Sequence, residues 1–462
     1  MSEHKVPPGP LRGEKARGPK GYPILGVLPM LRSNALAFLE QAAKEYGDFF
    51  PMRVFMSNAY LLNHPAHVEH VLQTNYRNYR KSPMLDKLKP ILGEGLFLSE
   101  GELWTQQRKL IAPSFFRQRV EAMGVTMAEV ASEHVAQWDQ RAATQTEFSL
   151  SEDMSFLTLE VALRTMFGNG MEESEAKAFS DALMVGNEVS AERVWNLTRL
   201  TEMLPTAKNR AYDRAVKTLD QVVWRVIRER RATGVSGDDL LGVLIDARDS
   251  ETNEAMNDQQ LRDEVLSLLL SGHETTAVML SWTFHFLAQH PACLERLRNE
   301  ADMVLAGRVP TAEDLKQLDY AKRVIQEVAR LRPSIWWFAR VAVDDDDICG
   351  QPIKAGTTVL ISQYLIHHHP SIWDDPTAFN PDRFLPENVA TRPKFAYLPF
   401  GAGPRVCLGS GFATMEMQMV LAMLLRRFDV TITSETNPEL SPLITLRPKK
   451  EITARIKPRL RH

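Results

Sequence analysis

Residues 400–409 read FGAGPRVCLG and place the last cysteine of the chain, Cys407, in a glycine-rich loop. The stretch that follows, GSGFATMEMQMVLAMLL (409–425), has the composition of an apolar helix, so the sulfur lies near a helix N-terminus. The N–H groups and the positive dipole end at such a position favour a thiolate. The glycines allow tight turns and a close approach to a flat ligand. The loop therefore predicts a reactive sulfur, with a small buried hydrophobe as the alternative.

A dinucleotide-binding loop is the other alternative for this region, because YLPFGAGPRV (397–406) resembles a strand followed by glycines and a helix. Two residues argue against it. Val406 stands where a third glycine belongs, and Pro404 has no N–H group to offer a phosphate. A nucleotide cradle is therefore not expected here.

The composition of the chain is that of an ordinary globular protein. It has 462 residues and a net charge of −3, from 55 basic and 58 acidic side chains, so no overall field attracts nucleic acid or an anionic membrane. The three cysteines show no paired spacing, which favours a reducing, cytoplasmic setting. The apolar run after Gly21 is broken by Pro23, Gly26 and Pro29, so we expect no membrane anchor. We predict a proline-rich N-terminal segment over 1–30 and one domain over 31–462.

Helical periodicity dominates the chain, which predicts a mainly α fold with a small β portion. The β signals are a hairpin at 49–65 with its turn at Ser57-Asn58, a segment at 347–361 and an alternating tail at 428–456. The longest predicted helix runs from Asn257 to His290 and is closed by Pro291.

Polar residues interrupt the centre of this long helix. The stretch LLLSGHETTAVML (268–280) places a glycine, two threonines and charged or titratable groups inside an apolar run, which costs stability. A bent or locally solvated core helix is one interpretation, and a functional site on the helix is the other.

Three further clusters are candidates for chemistry or support. In VIQEVARLRP (324–333), Glu327 and Arg330 share one face of an apolar helix and predict a buried ion pair, with Arg383 of FNPDRF (379–384) as a third member. In LWTQQRK (103–109), Trp104 and Arg108 share a face, which is typical of a surface cation–π pair. Residues His367, His368 and His369 cannot all face one ion from regular structure, so we predict a loop and no metal site.

In this order, the motifs WTQQR (104–108), SGHETT (271–276), EVAR (327–330), FNPDRF (379–384) and FGAGPRVCLG (400–409) resemble those of the cytochrome P450 family of haem-thiolate monooxygenases. The resemblance implies that family's single-domain fold, with haem between the long helix and the cysteine loop. It implies Cys407 as the axial iron ligand within a loop signature that includes Phe400 and Gly409. It implies haem-propionate contacts from Trp104, Arg108, Arg340 and Arg405.

The same resemblance implies roles for the remaining motifs. Glu274 and Thr275 would be the acid and alcohol beside the oxygen site, and Gly272 would leave room for a diatomic ligand. Glu327, Arg330 and Arg383 would form a structural triad. Ser271 departs from the alanine or glycine common in the family. Substrate contacts are expected from Leu268, Leu269, Ile335, Trp336, Trp337, Leu443 and Ile444, together with residues 84–97.

The resemblance also implies the cofactor and the partners. These are haem b bound non-covalently, O2, a lipophilic substrate (fatty acid, terpenoid, steroid or drug-like molecule), and a ferredoxin or flavodoxin whose reductase uses NAD(P)H. The chain itself carries no flavin or nicotinamide loop that would supply electrons. The cations Lys109, Arg117, Arg119 and Arg426 are candidates for partner docking, and we expect a monomer. A peroxide-driven hydroxylase and a non-enzymatic haem-thiolate sensor remain the alternatives.

Overall fold

The computed structural model describes residues 16–168, 171–194, 202, 204–234, 237–249 and 251–460. The proline-rich stretch at 7–10, part of the predicted N-terminal segment, lies outside the described residues. The chain divides into two compact units. The first unit comprises Met1–Pro83, Gln326–Cys407 and Leu440–Arg447, and the second comprises Met84–Ile325, Leu408–Glu439 and Pro448–His462.

Helices account for most of the described chain, as predicted. They are α1 (Leu28–Tyr46), α2 (Pro65–Glu69), α3 (Lys89–Leu92), α4 (Gly101–Ile111), α5 (Arg117–Thr144), α6 (Leu150–Phe167), α7 (Glu173–Val194), α8 (Ala207–Thr233), α9 (Leu240–Asp246), α10 (Asp258–Gln289), α11 (Pro291–Leu305), α12 (Asp319–Leu331), α13 (Gln363–His367), α14 (Pro386–Thr391) and α15 (Ser410–Arg427). No helix among the described residues is long and apolar enough to cross a membrane.

The strands are short and form small sheets. They are β1 (Phe49–Val54), β2 (Ser57–Leu62), β3 (Tyr79–Lys81), β4 (Phe148–Ser149), β5 (Phe338–Ala342), β6 (Asp346–Ile348), β7 (Gln351–Ile353), β8 (Thr358–Ile361), β9 (Phe428–Ile432), β10 (Leu440–Pro442), β11 (Leu446–Pro448) and β12 (Thr453–Pro458). The β segments predicted at 347–361 and 428–456 are confirmed, each as several separate strands.

The first unit is built on a sheet with the strand order β1-β2-β8-β5-β3, in which only the β2–β8 pair is parallel. The predicted hairpin is present, but its turn was placed wrongly. Val54 pairs with Ser57, so the turn is Phe55-Met56, and Phe55 adopts a positive φ of 55°. The turn lacks the asparagine or glycine that usually announces such a backbone, which explains why the pattern pointed to Ser57-Asn58.

The second unit is a helical core in which α10 packs along α6, α7 along α8, and α5 along α15. The start of α10 follows local sequence rules closely. Its cap, Asn257, accepts a hydrogen bond from the backbone N–H of Gln260, while the Gln260 side chain accepts one from the Asn257 N–H. This capping box fixes the helix start, and Pro291 opens the next helix after His290. The long helix predicted from Asn257 to His290 is therefore confirmed to within a residue at each end.

Candidate active site

The cysteine loop is shaped by two glycines with positive φ angles, Gly401 at 72° and Gly403 at 69°. A short helical turn, Gly403–Arg405, follows, and the backbone N–H of Cys407 donates to the carbonyl of Phe400 at 3.0 Å. The Cys407 side chain is exposed and is not part of a disulfide. The alternative of a small buried hydrophobe is therefore wrong, and the loop presents its sulfur on an accessible surface.

Gly403 is required by close packing as well as by its φ angle. A Cβ atom at this position would lie 1.9 Å from the carbonyl oxygen of Leu72, which belongs to the helical turn His70–Thr74. Any side chain here would force the loop away from that turn. The spacing of the loop glycines thus reflects a backbone contact within the first unit.

The predicted ion pair on α12 is completely buried, with Glu327 and Arg330 both at 0% exposure. Arg330 Nε donates to Glu327 Oε2 at 2.7 Å and Nη2 donates to Oε1 at 2.8 Å. The remaining guanidinium N–H groups donate to the carbonyls of His367, Pro376 and Ala378, so all five have an acceptor. Such complete satisfaction is what makes a buried charge tolerable.

Arg383, the predicted third member from FNPDRF, lies beside this pair. Its Nε lies 3.3 Å from Glu327 Oε1. The same carboxylate oxygen also accepts from the backbone N–H of Asn380 at 2.9 Å, just before the short helical turn Pro381–Phe384. Glu327 therefore organises both α12 and the segment that carries Arg383.

His367 connects this cluster to the start of the cysteine loop, a role that sequence reasoning missed. Its carbonyl accepts from Arg330, and its ring Nε2 accepts from the backbone N–H of Leu398 at 2.7 Å. The Leu398 carbonyl in turn accepts from Gln363 Nε2 and from the N–H of Gly401. Burial holds the pKa of His367 well below 6.5, so the ring is neutral and able to accept. We call Glu327, Arg330, Arg383 and His367 the arginine cluster.

The two histidines after His367 have partners different from its own. His368 is held beside Tyr364, and burial lowers its pKa to about 3. His369 pairs with Asp48 at 2.9 Å. Among the described residues there is no group of three or more His, Cys, Asp or Glu that could hold a metal ion. The loop predicted here is instead the end of α13 and the turn after it.

Two of the segments predicted to contact substrate, residues 335–337 and 443–444, come together within the first unit. Ile335 forms a bridge with Thr445, and Trp336 Nε1 donates to the Leu443 carbonyl at 2.9 Å. Ile335, Trp337, Leu443 and Ile444 remain partly accessible. Trp336 is only 1% exposed, so it packs inside this segment, which corrects its prediction as a substrate contact.

On α10 the accessible positions form a stripe. Leu268, Ser271, Gly272 and Thr275 recur at helical spacing and are not buried, whereas positions 276–285 of the same helix are buried. Leu269 is 1% exposed and lies on the buried face, which corrects its prediction as a substrate contact. We call Ser271, Gly272, Glu274 and Thr275 the polar stripe.

Hydroxyl groups in and beside the polar stripe bond to their own helix. Ser271 Oγ donates to the Ser267 carbonyl at 2.6 Å, and Thr275 Oγ1 donates to the Ser271 carbonyl at 2.9 Å. A Cβ atom at Gly272 would meet nothing within 4 Å, so the glycine borders open space. The helix runs without interruption through its centre, from Asp258 to Gln289, and its polar centre is partly accessible to solvent.

Two contacts from other helices reach the polar centre of α10. Asn187 on α7 donates through Nδ2 to Glu274 Oε2. Thr158 on α6 donates to the carbonyl of His273 at 3.1 Å. The His273 ring is buried on the opposite side from the stripe, and burial lowers its pKa to about 4. Asn187 belongs to no motif, so sequence reasoning had no signal by which to find it.

Buried carboxylates near the start of α10 hold the segment that precedes α4. Asp263 accepts from the backbone N–H of Glu94 at 2.8 Å, and Glu264 accepts from that of Leu96 at 2.9 Å. Between them, a Cβ atom at Gly95 would lie 2.2 Å from Ser267 Oγ, so the two segments are in direct contact. Phe97 follows and is 37% exposed, which makes it the accessible aromatic residue of the segment predicted at 84–97.

The basic residues predicted around the cofactor are accessible to different degrees. Trp104 and Arg108 occupy one face of α4 and are both partly accessible. Arg340 lies on β5 with its guanidinium 4.9 Å from the Phe338 ring, and Arg405 lies in the cysteine loop with buried Nε and Nη1 atoms.

Among the predicted docking cations, Lys109 pairs with Glu251 and Arg117 with Glu121, which reduces the charge they present.

These features fit a haem-thiolate site. The exposed Cys407 sulfur is a soft ligand of the kind that binds haem iron, and a Cβ atom at Gly401 would meet nothing within 4 Å, so the loop leaves room beside it. Gly409 and Ser410 then open α15 without a side-chain cap. The fold and the cysteine loop thus fit the class of haem-thiolate proteins.

Comparisons with known proteins identify the family. The family model for cytochrome P450 matches residues 16–454, so the chain belongs to the cytochrome P450 family. It is 35% identical to cyclooctat-9-en-7-ol 5-monooxygenase of Streptomyces melanosporofaciens over 89% of this chain and 88% of that protein. It is 29% identical to pentalenene oxygenase of Streptomyces avermitilis over 99% of this chain and 98% of that protein.

A solved structure agrees with this assignment. The haem domain of cytochrome P450DA superimposes with a TM-score of 0.88 and 28% identity, covering 97% of this chain and 98% of that one. The chain is accordingly an enzyme of the cytochrome P450 monooxygenase family, and that family uses a haem-thiolate cofactor.

Proposed function

We propose that this enzyme inserts one oxygen atom of O2 into a C–H bond of a lipophilic terpenoid, with electrons from a separate ferredoxin or flavodoxin and its NAD(P)H-dependent reductase. The observation that carries the proposal is the exposed Cys407 thiol on a loop that the arginine cluster supports. The terpenoid class is supported by the names of two relatives, a cyclooctat-9-en-7-ol monooxygenase and a pentalenene oxygenase. The apolar Leu268, Ile335, Trp337, Leu443 and Ile444 suit such a molecule.

Haem b, when bound non-covalently, supplies the iron centre that activates O2. Cys407 would hold the iron through its thiolate. Arg340, Arg405, Trp104 and Arg108 would hold the propionates by charge-assisted hydrogen bonds. Phe400 and Gly409 would shape the loop on either side of the cysteine.

The polar stripe would handle protons. Glu274 is partly accessible and can exchange a proton with solvent at its carboxyl oxygens. The Thr275 hydroxyl can turn from the Ser271 carbonyl toward the open side of the helix and donate there. Gly272 leaves room for that reorientation, since no atom lies within 4 Å of its missing Cβ. Ser271 adds a second hydroxyl that can order water in the same place.

We propose that residues 31–462 form one haem domain. Each compact unit draws on three separate stretches of chain, so no single cut would release one of them as a continuous segment. A monomeric state, a cytoplasmic location and the absence of a nucleic-acid partner stay predictions from the sequence.

The test of the proposed ligation is the absorption spectrum of the reduced, carbon monoxide-bound holoprotein. We expect a strongly red-shifted Soret band for the wild type, its loss in Cys407→Ser, and its retention in Cys349→Ser. Cys349 is the matched control because it is also exposed and lies in the same unit. An unchanged band in Cys407→Ser would contradict the proposal.

The substrate class is tested on the same preparation with three probes. We expect pentalenene and cyclooctat-9-en-7-ol, but not lauric acid, to shift the Soret band and to yield hydroxylated products with NAD(P)H, a ferredoxin and its reductase. Turnover with hydrogen peroxide alone would indicate the peroxide-driven hydroxylase. Ligand binding without turnover, unaffected by Thr275→Ala, would indicate a sensor.

A further inference from the structure

Asn187 makes a polar contact between two helices, a hydrogen bond from its amide to a carboxyl group. Its side-chain amide on α7 donates to Glu274 Oε2 at the centre of α10, and both residues are only partly buried. Glu274 is the acid of the polar stripe. The contact therefore joins the proposed proton carrier to a helix that contributes no other residue to the proposed site.

The residue before Asn187 lies where α7 packs closely against its neighbours. A Cβ atom on the preceding residue, Gly186, would lie 2.8 Å from Ile91 Cδ1 and 3.9 Å from Leu219 Cδ1. Glycine at 186 thus lets α7 pack closely against α3 and α8. A side chain at position 186 would first meet the terminal methyl group of Ile91, which can change its rotamer to make room.

An amide suits a carboxyl group that must both gain and lose a proton. It donates a hydrogen bond but brings no positive charge, whereas a lysine or arginine would favour the ionised carboxylate strongly. Glu188, the next residue along α7, is exposed. Several other charges on the helices packed here form ion pairs of their own. The pairs are Glu175 with Arg225, Lys177 with Asp181, Glu192 with Lys208, Asp220 with Arg262, and Arg164 with Glu133 and Glu160. The adjacent His273 is buried and neutral near pH 7.

We propose that Asn187 is a positioning residue for proton delivery. It holds the Glu274 carboxyl group on the side of α7 until the group takes a proton from solvent water and turns to pass it toward Thr275. No redox change is involved, and the carboxylate returns to its starting state once the proton leaves. Because the bond spans α7 and α10, the position of α7 governs the rate of delivery. This inference rests on the acid role proposed above for Glu274.

The first test is the pH profile of O2-dependent NAD(P)H oxidation by the reconstituted holoenzyme with pentalenene. A second carboxylate in Asn187→Asp favours protonation of Glu274, so we expect the profile to move to higher pH, by about one unit. A cation in Asn187→Lys should move it to lower pH by a similar amount. Asn187→Gln keeps the amide and should stay close to the wild type.

The matched control is Glu188→Gln. It changes the net charge by the same +1 as Asn187→Lys, one residue along α7 at an exposed position. Its profile should equal that of the wild type, since solvent screens the site. If the pH profiles of Asn187→Asp and Asn187→Lys are the same as that of Glu188→Gln, the inference is overturned.

The second test does not use activity. Urea unfolding of Asn187→Ala, Glu274→Ala and the double variant should show less than additive shifts in the midpoint, because the two side chains share one bond. Additive shifts would contradict the contact.

Glu274→Gln separates this inference from the proposed function. If that variant slows NAD(P)H oxidation about 10-fold or more while the Asn187 variants have no effect, only the positioning role fails. If it has no effect, the acid role fails.

Discussion

The arginine cluster and the polar stripe differ in how far their polar side chains are buried and in where their hydrogen-bond partners lie. In the cluster, Glu327 and Arg330 are shielded from solvent, and all five Arg330 N–H groups have acceptors, two on Glu327 and three on carbonyls of other segments. In the stripe, the Ser271 and Thr275 hydroxyls remain accessible and bond to carbonyls one turn back on their own helix.

This difference suits the cluster to a structural role and the stripe to a role in proton transfer. A buried charge is stable only while its partners keep their places, so the cluster fixes His367 and, through it, Leu398 at the start of the cysteine loop. A hydroxyl that bonds its own helix can exchange that partner for another at little cost. Variants in the two regions should therefore act on different quantities, the free energy of unfolding in one and turnover in the other.

The largest effect on stability is expected for Glu327→Gln. The substitution keeps the shape but leaves Arg330 buried without its counter-charge, which should lower the free energy of unfolding by about 3–5 kcal/mol. Urea unfolding of the holoprotein, followed by tryptophan fluorescence, measures the loss, and a low yield of haem-bound protein should accompany it.

The control for this variant is Glu439→Gln. Glu439 pairs with Lys449 at 3.0 Å, but both side chains are more than half exposed, so the expected change is below about 1 kcal/mol. Equal losses in the two variants would remove the distinction between a buried cluster and an ordinary surface pair.

The sequence predicted the parts of the molecule that depend on neighbours along the chain. The Asn257–Gln260 capping box and Pro291 bound α10 by local rules, and the shared helical face of Glu327 and Arg330 follows from their spacing of three. The cysteine loop could be predicted because two of its glycines adopt positive φ angles that few other residues adopt.

Contacts between distant residues could not be predicted in this way. His367 bonds Leu398, 31 positions away, and Asn187 bonds Glu274, 87 positions away, and neither pair has a periodic signal. Trp336 and Leu269 are apolar residues in segments with accessible neighbours, and only packing decides that these two are buried. Composition and periodicity indicate which helices form, but they do not indicate which side of a segment is covered.

An intermediate effect is expected at His367 and should depend on pH. Its folded-state pKa is depressed, so below about 6.5 the unfolded chain binds a proton that the folded chain does not. The wild type should therefore lose up to about 1.4 kcal/mol of stability per pH unit from this group as the pH falls below 6.5. His367→Gln keeps an acceptor for the Leu398 N–H and cannot titrate, so its stability should fall less steeply between pH 6.5 and 5.

His367→Ala completes that experiment. It leaves the Leu398 N–H without its acceptor and should cost about 1–3 kcal/mol at pH 7.5, where the histidine is neutral in both states. Urea midpoints of the three proteins across the pH range give both numbers. Parallel pH curves for the wild type and His367→Gln would show that His367 is protonated in the folded protein and would remove it as the link to the cysteine loop.

The smallest effect on stability is expected in the polar stripe, for Thr275→Ala, with Thr276→Ala on the buried face of the same helix as its matched control. Both hydroxyls donate to a carbonyl four residues back at 2.9 Å, but Thr276 is 1% exposed while Thr275 is partly accessible. Thr275→Ala should change the free energy of unfolding by less than about 0.5 kcal/mol, since alanine favours the helix, whereas Thr276→Ala should lose about 1 kcal/mol of buried contact. Product formed per NAD(P)H should fall only in Thr275→Ala. Thr275→Ala could instead cost as much stability as Thr276→Ala and leave the product formed per NAD(P)H unchanged. The accessible hydroxyl would then be part of the packing, and the contrast between the two regions would fail.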